Sequence, residues 1–116
     1  MGTTKLALTM LGSGDLERAV AFYRDVLGLT VTGRVENFVF FDTGATTLIV
    51  TGVLQAAGSG PATHECVFAV ESVTATYESL KVRIDFANEP RAINGDSWAV
   101  NFRDPDGHQC SFYGPR

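Results

Sequence analysis

The chemistry open to this chain rests on few side chains. Two cysteines, Cys66 and Cys110, and two histidines, His64 and His108, are its only thiols and imidazoles. The cysteines lack the close pairing of a zinc knuckle and are too few for a disulfide scaffold, so they are expected as buried free thiols. His64 lies in an apolar run that reads as a strand, where alternation aims it away from the face served by its neighbour Glu65. His108 directly follows Asp104-Pro105-Asp106-Gly107 and reads as a solvated turn residue. Trp98, the one tryptophan, can stack on a planar ligand or pack as core between strand and loop. Phe38, Phe40 and Phe41 read as sheet core first and ligand wall second.

Two similar halves must position these residues. Residues 5–11 are mostly apolar and read as a strand ending at Gly12-Ser13-Gly14. Asp15 is a good N-cap for a helix whose apolar positions Leu16, Ala19, Val20, Tyr23, Val26 and Leu27 run to a stop at Gly28. Strands are expected at 29–35, 37–42 and 46–51, the last two joined by Asp42-Thr43-Gly44. The pattern then begins again. Residues 64–70 read as a strand, Ser72 caps a helix carrying Val73, Tyr77, Leu80 and Val82, and strands are expected at 84–87, 98–103 and 108–113. The Asp104-Pro105-Asp106-Gly107 turn answers Asp42-Thr43-Gly44, and Ser72 answers Asp15, at an offset of about sixty residues, which marks a duplicated unit.

One domain over 1–116 is therefore expected, with a first βαβββ module at 5–52, a connector at 53–62 and a second module at 63–114. One helix per four strands covers only one sheet face, so the expected class is α+β: tandem modules forming a cupped mixed sheet with helices on the outer face. The trough is the natural small-molecule pocket. With 116 residues, 45% of them apolar, the chain is long enough to bury about two-thirds of its unfolded surface. The net charge of −4 is spread along the sequence with no Lys/Arg cluster, which speaks against a nucleic-acid partner. No charged leader precedes a long apolar run, and no stretch approaches the roughly 20 apolar residues that span a bilayer. No membrane association and a cytoplasmic location are expected.

The run Asp15-Leu16-Glu17-Arg18-Ala19-Val20-Ala21-Phe22-Tyr23-Arg24-Asp25-Val26-Leu27-Gly28-Leu29, with Phe102-Arg103-Asp104-Pro105-Asp106-Gly107-His108 near the C-terminus, resembles the vicinal oxygen chelate superfamily. That superfamily includes glyoxalase I, bleomycin-resistance proteins and extradiol dioxygenases, and the resemblance covers nearly the whole chain. It implies metal ligands in the first and last strands of each half. The matching positions are Leu8 and Glu65, then Ile49 and Ser111. Only Glu65 among them is a strong ligand, so no metal is expected.

The resemblance then implies a protein that binds a small, largely apolar or aromatic molecule, with Leu8, Ile49, Glu65, Trp98 and Ser111 as ligand-binding residues. Glu65 is also the candidate catalytic group. On an apolar wall it would serve as a general base or as an anchor for a cationic ligand; otherwise it is a carboxylate hydrogen-bonded to Ser111 or nearby backbone. Ser111 has no histidine placed to activate it as a nucleophile. The alternative is a glyoxalase-like lyase, isomerase or dioxygenase, with Glu65 as base or as ligand to a divalent metal such as Zn, Ni, Mn or Fe. The resemblance further implies a homodimer.

Overall fold

The computed structural model describes residues 8–58 and 64–116. The expected strand residues 5–7, and residues 59–63 of the connector and second module, lie outside the described residues. The chain divides into two units, Met1–Ala57 and Gly58–Arg116, each with its own helix and four-stranded mixed sheet.

In the first unit the strands are β1 (Leu8–Gly12), β2 (Thr30–Val35), β3 (Phe38–Asp42) and β4 (Thr47–Thr51), in the order β1-β4-β3-β2. β1 runs parallel to β4, and the other neighbours are antiparallel. Helix α1 (Leu16–Ala21) starts at Asp15, whose side chain accepts the Arg18 N–H at 3.2 Å and so satisfies one of the first-turn donors. It does not continue as a regular α-helix to Leu27, as its spacing predicts. Phe22–Val26 form a wider π-helical turn, closed by the Leu27 N–H donating to the Phe22 carbonyl at 3.0 Å. Gly28, at φ +75°, then stops the helix in the left-handed region that a side chain would disfavour.

The core of this unit follows from strand alternation. Leu11 pairs with Val50, Val39 with Val50, and Phe41 with Leu48, so all five side chains share the face that meets Ala19, Val20 and Tyr23. Tyr23 is fully buried with its ring 5.9 Å from that of Phe41. Each large apolar side chain removed from water contributes about 1.5–3 kcal/mol, which makes this stripe the main tie between helix and sheet.

The second unit repeats the plan: β5 (Cys66–Ala69), α2 (Val73–Leu80), β6 (Arg91–Asn94), β7 (Ser97–Arg103) and β8 (Gln109–Pro115), in sheet order β5-β8-β7-β6. The Ser72 side chain caps α2 by accepting the Ala75 N–H at 3.1 Å. Phe102 and Phe112 pack at 4.7 Å between centroids, with Phe86 over them at 5.7 and 6.1 Å.

Two expectations fail here. No strand forms at 84–87; Ile84 is buried, Phe86 packs against Tyr77 at 4.9 Å, and the strand lies at Arg91–Asn94 instead. The apolar residues that suggested a strand are side chains tucked beneath the helix. Val82 also lies beyond α2, and is 87% exposed, because α2 closes at Lys81. Among the described residues no helix is long and apolar enough to cross a membrane.

The matching turns carry the duplication into detail. Asp42 Oδ1 accepts the Gly44 N–H at 2.8 Å, while Asp104 Oδ1 accepts the N–H groups of Asp106 at 3.0 Å and His108 at 2.8 Å.

Candidate functional site

Each sheet has one face on its own helix, so the functional candidates are the side chains on the other face. In the first unit, register places Met10 beside Ile49 and Ile49 beside Phe40, with Leu8 opposite Thr47 two residues earlier. Leu8 and Ile49 therefore share a face, as alternation requires. Met10 is the direct neighbour of Ile49, a contact that sequence reasoning missed although Met10 stands two residues from Leu8. Leu8 and Met10 are each 39% exposed, whereas Ile49 is buried. Phe38 and Phe40 also lie on this face, and only Phe41 is core beneath the helix. The Thr51 hydroxyl is engaged by the Val53 N–H at 3.1 Å. This face is mostly hydrocarbon, and the row Met10, Ile49, Phe40 offers no oxygen or nitrogen donor.

The corresponding face of the second unit is polar. Glu65 lies just before β5, and its Oε2 accepts hydrogen bonds from Asn101 Nδ2 at 2.9 Å and Gln109 Nε2 at 3.2 Å. Asn101 is held in turn. Its backbone N–H donates to Asn88 Oδ1 at 3.0 Å, and its Oδ1 accepts Asn88 Nδ2 at 3.0 Å and Arg91 Nη1 at 2.6 Å. Ser111 is buried and in register with both Val67 and Asn101, so it shares the face with Glu65. The expected alternative partners of Glu65, Ser111 or backbone, are replaced by two side-chain amides. Glu65 is also exposed rather than set on an apolar wall.

Trp98 does not join this group. It alternates with Asn101 and shares the face of Val100 and Phe102, both fully buried, while the Arg116 guanidinium lies over its ring at 4.8 Å. The expected wall residue is thus on the helix side of the sheet. His64 likewise faces away from Glu65: its ring is 6.4 Å from that of His108. His108 is buried rather than solvated, and its backbone N–H donates to the buried Asp104 carboxylate at 2.8 Å, which draws the residue after the turn inward. Cys66 and Cys110 stand opposite each other in the β5–β8 ladder, and neither is in a disulfide. Burial pushes the Cys66 thiol up, and the negative charges of Asp104 and Glu65 push it further.

The metal that the resemblance implies does not fit this donor set. A divalent cation needs several oxygen or nitrogen donors to replace its water. The four implied positions supply two hydrocarbons, one hydroxyl and one carboxylate whose Oε2 already accepts two amides. Among the described residues no group of three or more His, Cys, Asp or Glu side chains is disposed to hold an ion.

Sequence reasoning missed Asn101, Arg91, Gln109 and Asn88. For Asn101 a signal was present, since Val100-Asn101-Phe102-Arg103 alternates apolar and polar and assigns Asn101 to the uncovered face. Arg91 was hidden by the strand expected at 84–87.

The chain matches the family model described as Glyoxalase/Bleomycin resistance protein/Dioxygenase superfamily over residues 5–112. It is 28% identical over 118 residues to a lactoylglutathione lyase of Haemophilus influenzae, covering 90% of this chain and 87% of that protein. Among solved structures, a glyoxalase/bleomycin resistance protein/dioxygenase from Nocardioides superposes with a TM-score of 0.79 at 20% identity, covering 99% of this chain and 85% of that one. A lactoylglutathione lyase from Agrobacterium tumefaciens gives a TM-score of 0.74 at 22% identity, covering 97% and 95%. At these identities the structural likeness concerns the fold.

Proposed function

The chain belongs to the Glyoxalase/Bleomycin resistance protein/Dioxygenase superfamily, and from that premise we propose that it binds a small, largely apolar or aromatic organic molecule without a metal ion. One observation carries the proposal. Of the four positions where the family resemblance places ligands, Leu8 and Ile49 are hydrocarbon, and Glu65 is the only carboxylate. Within the first unit the Met10, Ile49 and Phe40 row is apolar surface suited to such a ligand, and within the second unit the polar face around Glu65 and Asn101 is suited to directional contacts. A homodimer in the cytoplasm is part of the same reading.

The test begins with metal. Protein purified without chelator should carry no stoichiometric nickel, zinc, manganese or iron, and titration with each should show binding no tighter than about a millimolar. Metal retained stoichiometrically through gel filtration overturns the proposal. A thermal-shift screen of aromatic metabolites and antibiotics follows, because a ligand of the native state alone raises the melting temperature with its concentration.

The relatives named as lactoylglutathione lyases favour a second reading, an enzyme with Glu65 as base or metal ligand. Glu65 Oε1 accepts no hydrogen bond among the described residues and is open to a substrate proton. Turnover abolished by Glu65→Gln in an otherwise folded protein would establish it.

A further inference from the structure

We propose that the sheet face of the second unit that carries Glu65, Asn101 and Arg91 is a clamp for a zwitterion, a molecule bearing an ammonium and a carboxylate about one carbon apart, as in a free α-amino acid. The inference rests on the small-molecule reading above and adds the class of ligand.

Two opposite charges stand on this face without neutralising each other. Arg91 and Glu65 are both exposed, and neither forms an ion pair among the described residues. They are instead separated by one amide. Asn101 accepts from Arg91 Nη1 at 2.6 Å through its Oδ1 and donates to Glu65 Oε2 at 2.9 Å through its Nδ2. The two charged groups are therefore held within about 8 Å of each other, the reach of two hydrogen bonds and one amide group. An ammonium and a carboxylate one carbon apart, each making a charge-assisted bond of about 2.8 Å, span a similar gap.

The spacing is braced. Asn88 binds the Asn101 backbone N–H and side-chain oxygen together, and Gln109 holds Glu65 Oε2 from the other side. Such bracing leaves Glu65 Oε1 for the ammonium and the remaining guanidinium N–H groups of Arg91 for the carboxylate. A ligand with one charge would satisfy only half of this arrangement, and a second cation or anion would meet the wrong partner.

Isothermal titration with four probes tests the clamp: phenylalanine, phenethylamine, 3-phenylpropanoate and neutral 2-phenylethanol. Phenylalanine should bind about tenfold or more tighter than either singly charged probe, as expected for an added hydrogen bond to a charged group. Arg91→Gln should remove most of the advantage over phenethylamine, and Glu65→Gln most of the advantage over 3-phenylpropanoate. Arg91→Lys, which keeps the charge, should restore part of it. Circular dichroism of each variant confirms folding.

If 2-phenylethanol binds as tightly as phenylalanine and the variants change nothing, the clamp is wrong while the small-molecule reading stands. If none of the four binds, the clamp is wrong and the aromatic-ligand reading loses its support as well. If phenylalanine alone binds but Arg91→Gln and Glu65→Gln leave it unaffected, the zwitterion is held elsewhere and the assignment to this face fails.

Discussion

Asp104 is buried, and a single carboxylate oxygen answers two backbone N–H groups, those of Asp106 and His108. Its counterpart Asp42 is exposed and answers one, that of Gly44. Replacing Asp104 by Ala strands two donors where water enters poorly and should cost about 2–3 kcal/mol; Asp42→Ala, where water takes over, should cost about 0.5–1 kcal/mol. Urea denaturation of both variants decides it, and equal losses would mean that burial does not set the difference. The same contrast explains what was legible at the site. Glu65 was legible through the family resemblance, which implies a ligand in the first strand of each half. Its partners were not, because Asn101 and Gln109 reach it from other strands, with Arg91 one bond further on through Asn101, and side-chain pairing across a sheet depends on a register that only the folded chain fixes.

The elements show where glycine is required by conformation alone and where close approach is added. Gly28 has φ +75° with nothing within 4 Å of an added Cβ, so Gly28→Ala should cost about 1 kcal/mol for the left-handed backbone. Gly107 has φ +88°, and an added Cβ would lie 1.5 Å from the Gly58 carbonyl oxygen, so the backbone must part and the 2.9 Å bond from Gly58 N–H to Asp106 carbonyl must break. Gly107→Ala should exceed Gly28→Ala by about 1–3 kcal/mol in thermal or urea unfolding. Equal costs would show that the approach to Gly58 is not kept in solution. Caps, turns and the repeat were readable from sequence because each is a local rule satisfied by two or three neighbouring residues. The strand misplaced at 84–87 had no such punctuation. Ile84 and Phe86 are apolar because they plug the space under α2, whereas Arg91–Asn94 forms a strand with few apolar residues because its partner β7 supplies the pairing. The π-helical turn at Phe22–Val26 left the apolar spacing intact and was equally invisible.

At the scale of the whole molecule, one plan occurs twice with unlike side chains on the sheet face away from the helix: mostly hydrocarbon in the first unit, and amides with opposite charges in the second. Neither face carries a strong net charge, yet the molecule does, with −4 at pH 7 and a pI of about 5.0. That net field adds to whatever the local contacts supply, and salt separates the two. At about 10 mM ionic strength the screening length is about 30 Å and the whole charge is felt; at about 150 mM it is about 8 Å and mostly near neighbours count. Phenethylamine should therefore lose affinity relative to 3-phenylpropanoate as salt is raised over that range, while phenylalanine, whose charges cancel at a distance, should change little. A preference between the two singly charged probes that does not move with salt would place its origin in contacts such as those of Glu65 and Arg91 rather than in the acidic balance of the chain. A shift in the opposite direction would mean that the local field at the site runs against the net charge, as a dominant Arg91 would produce.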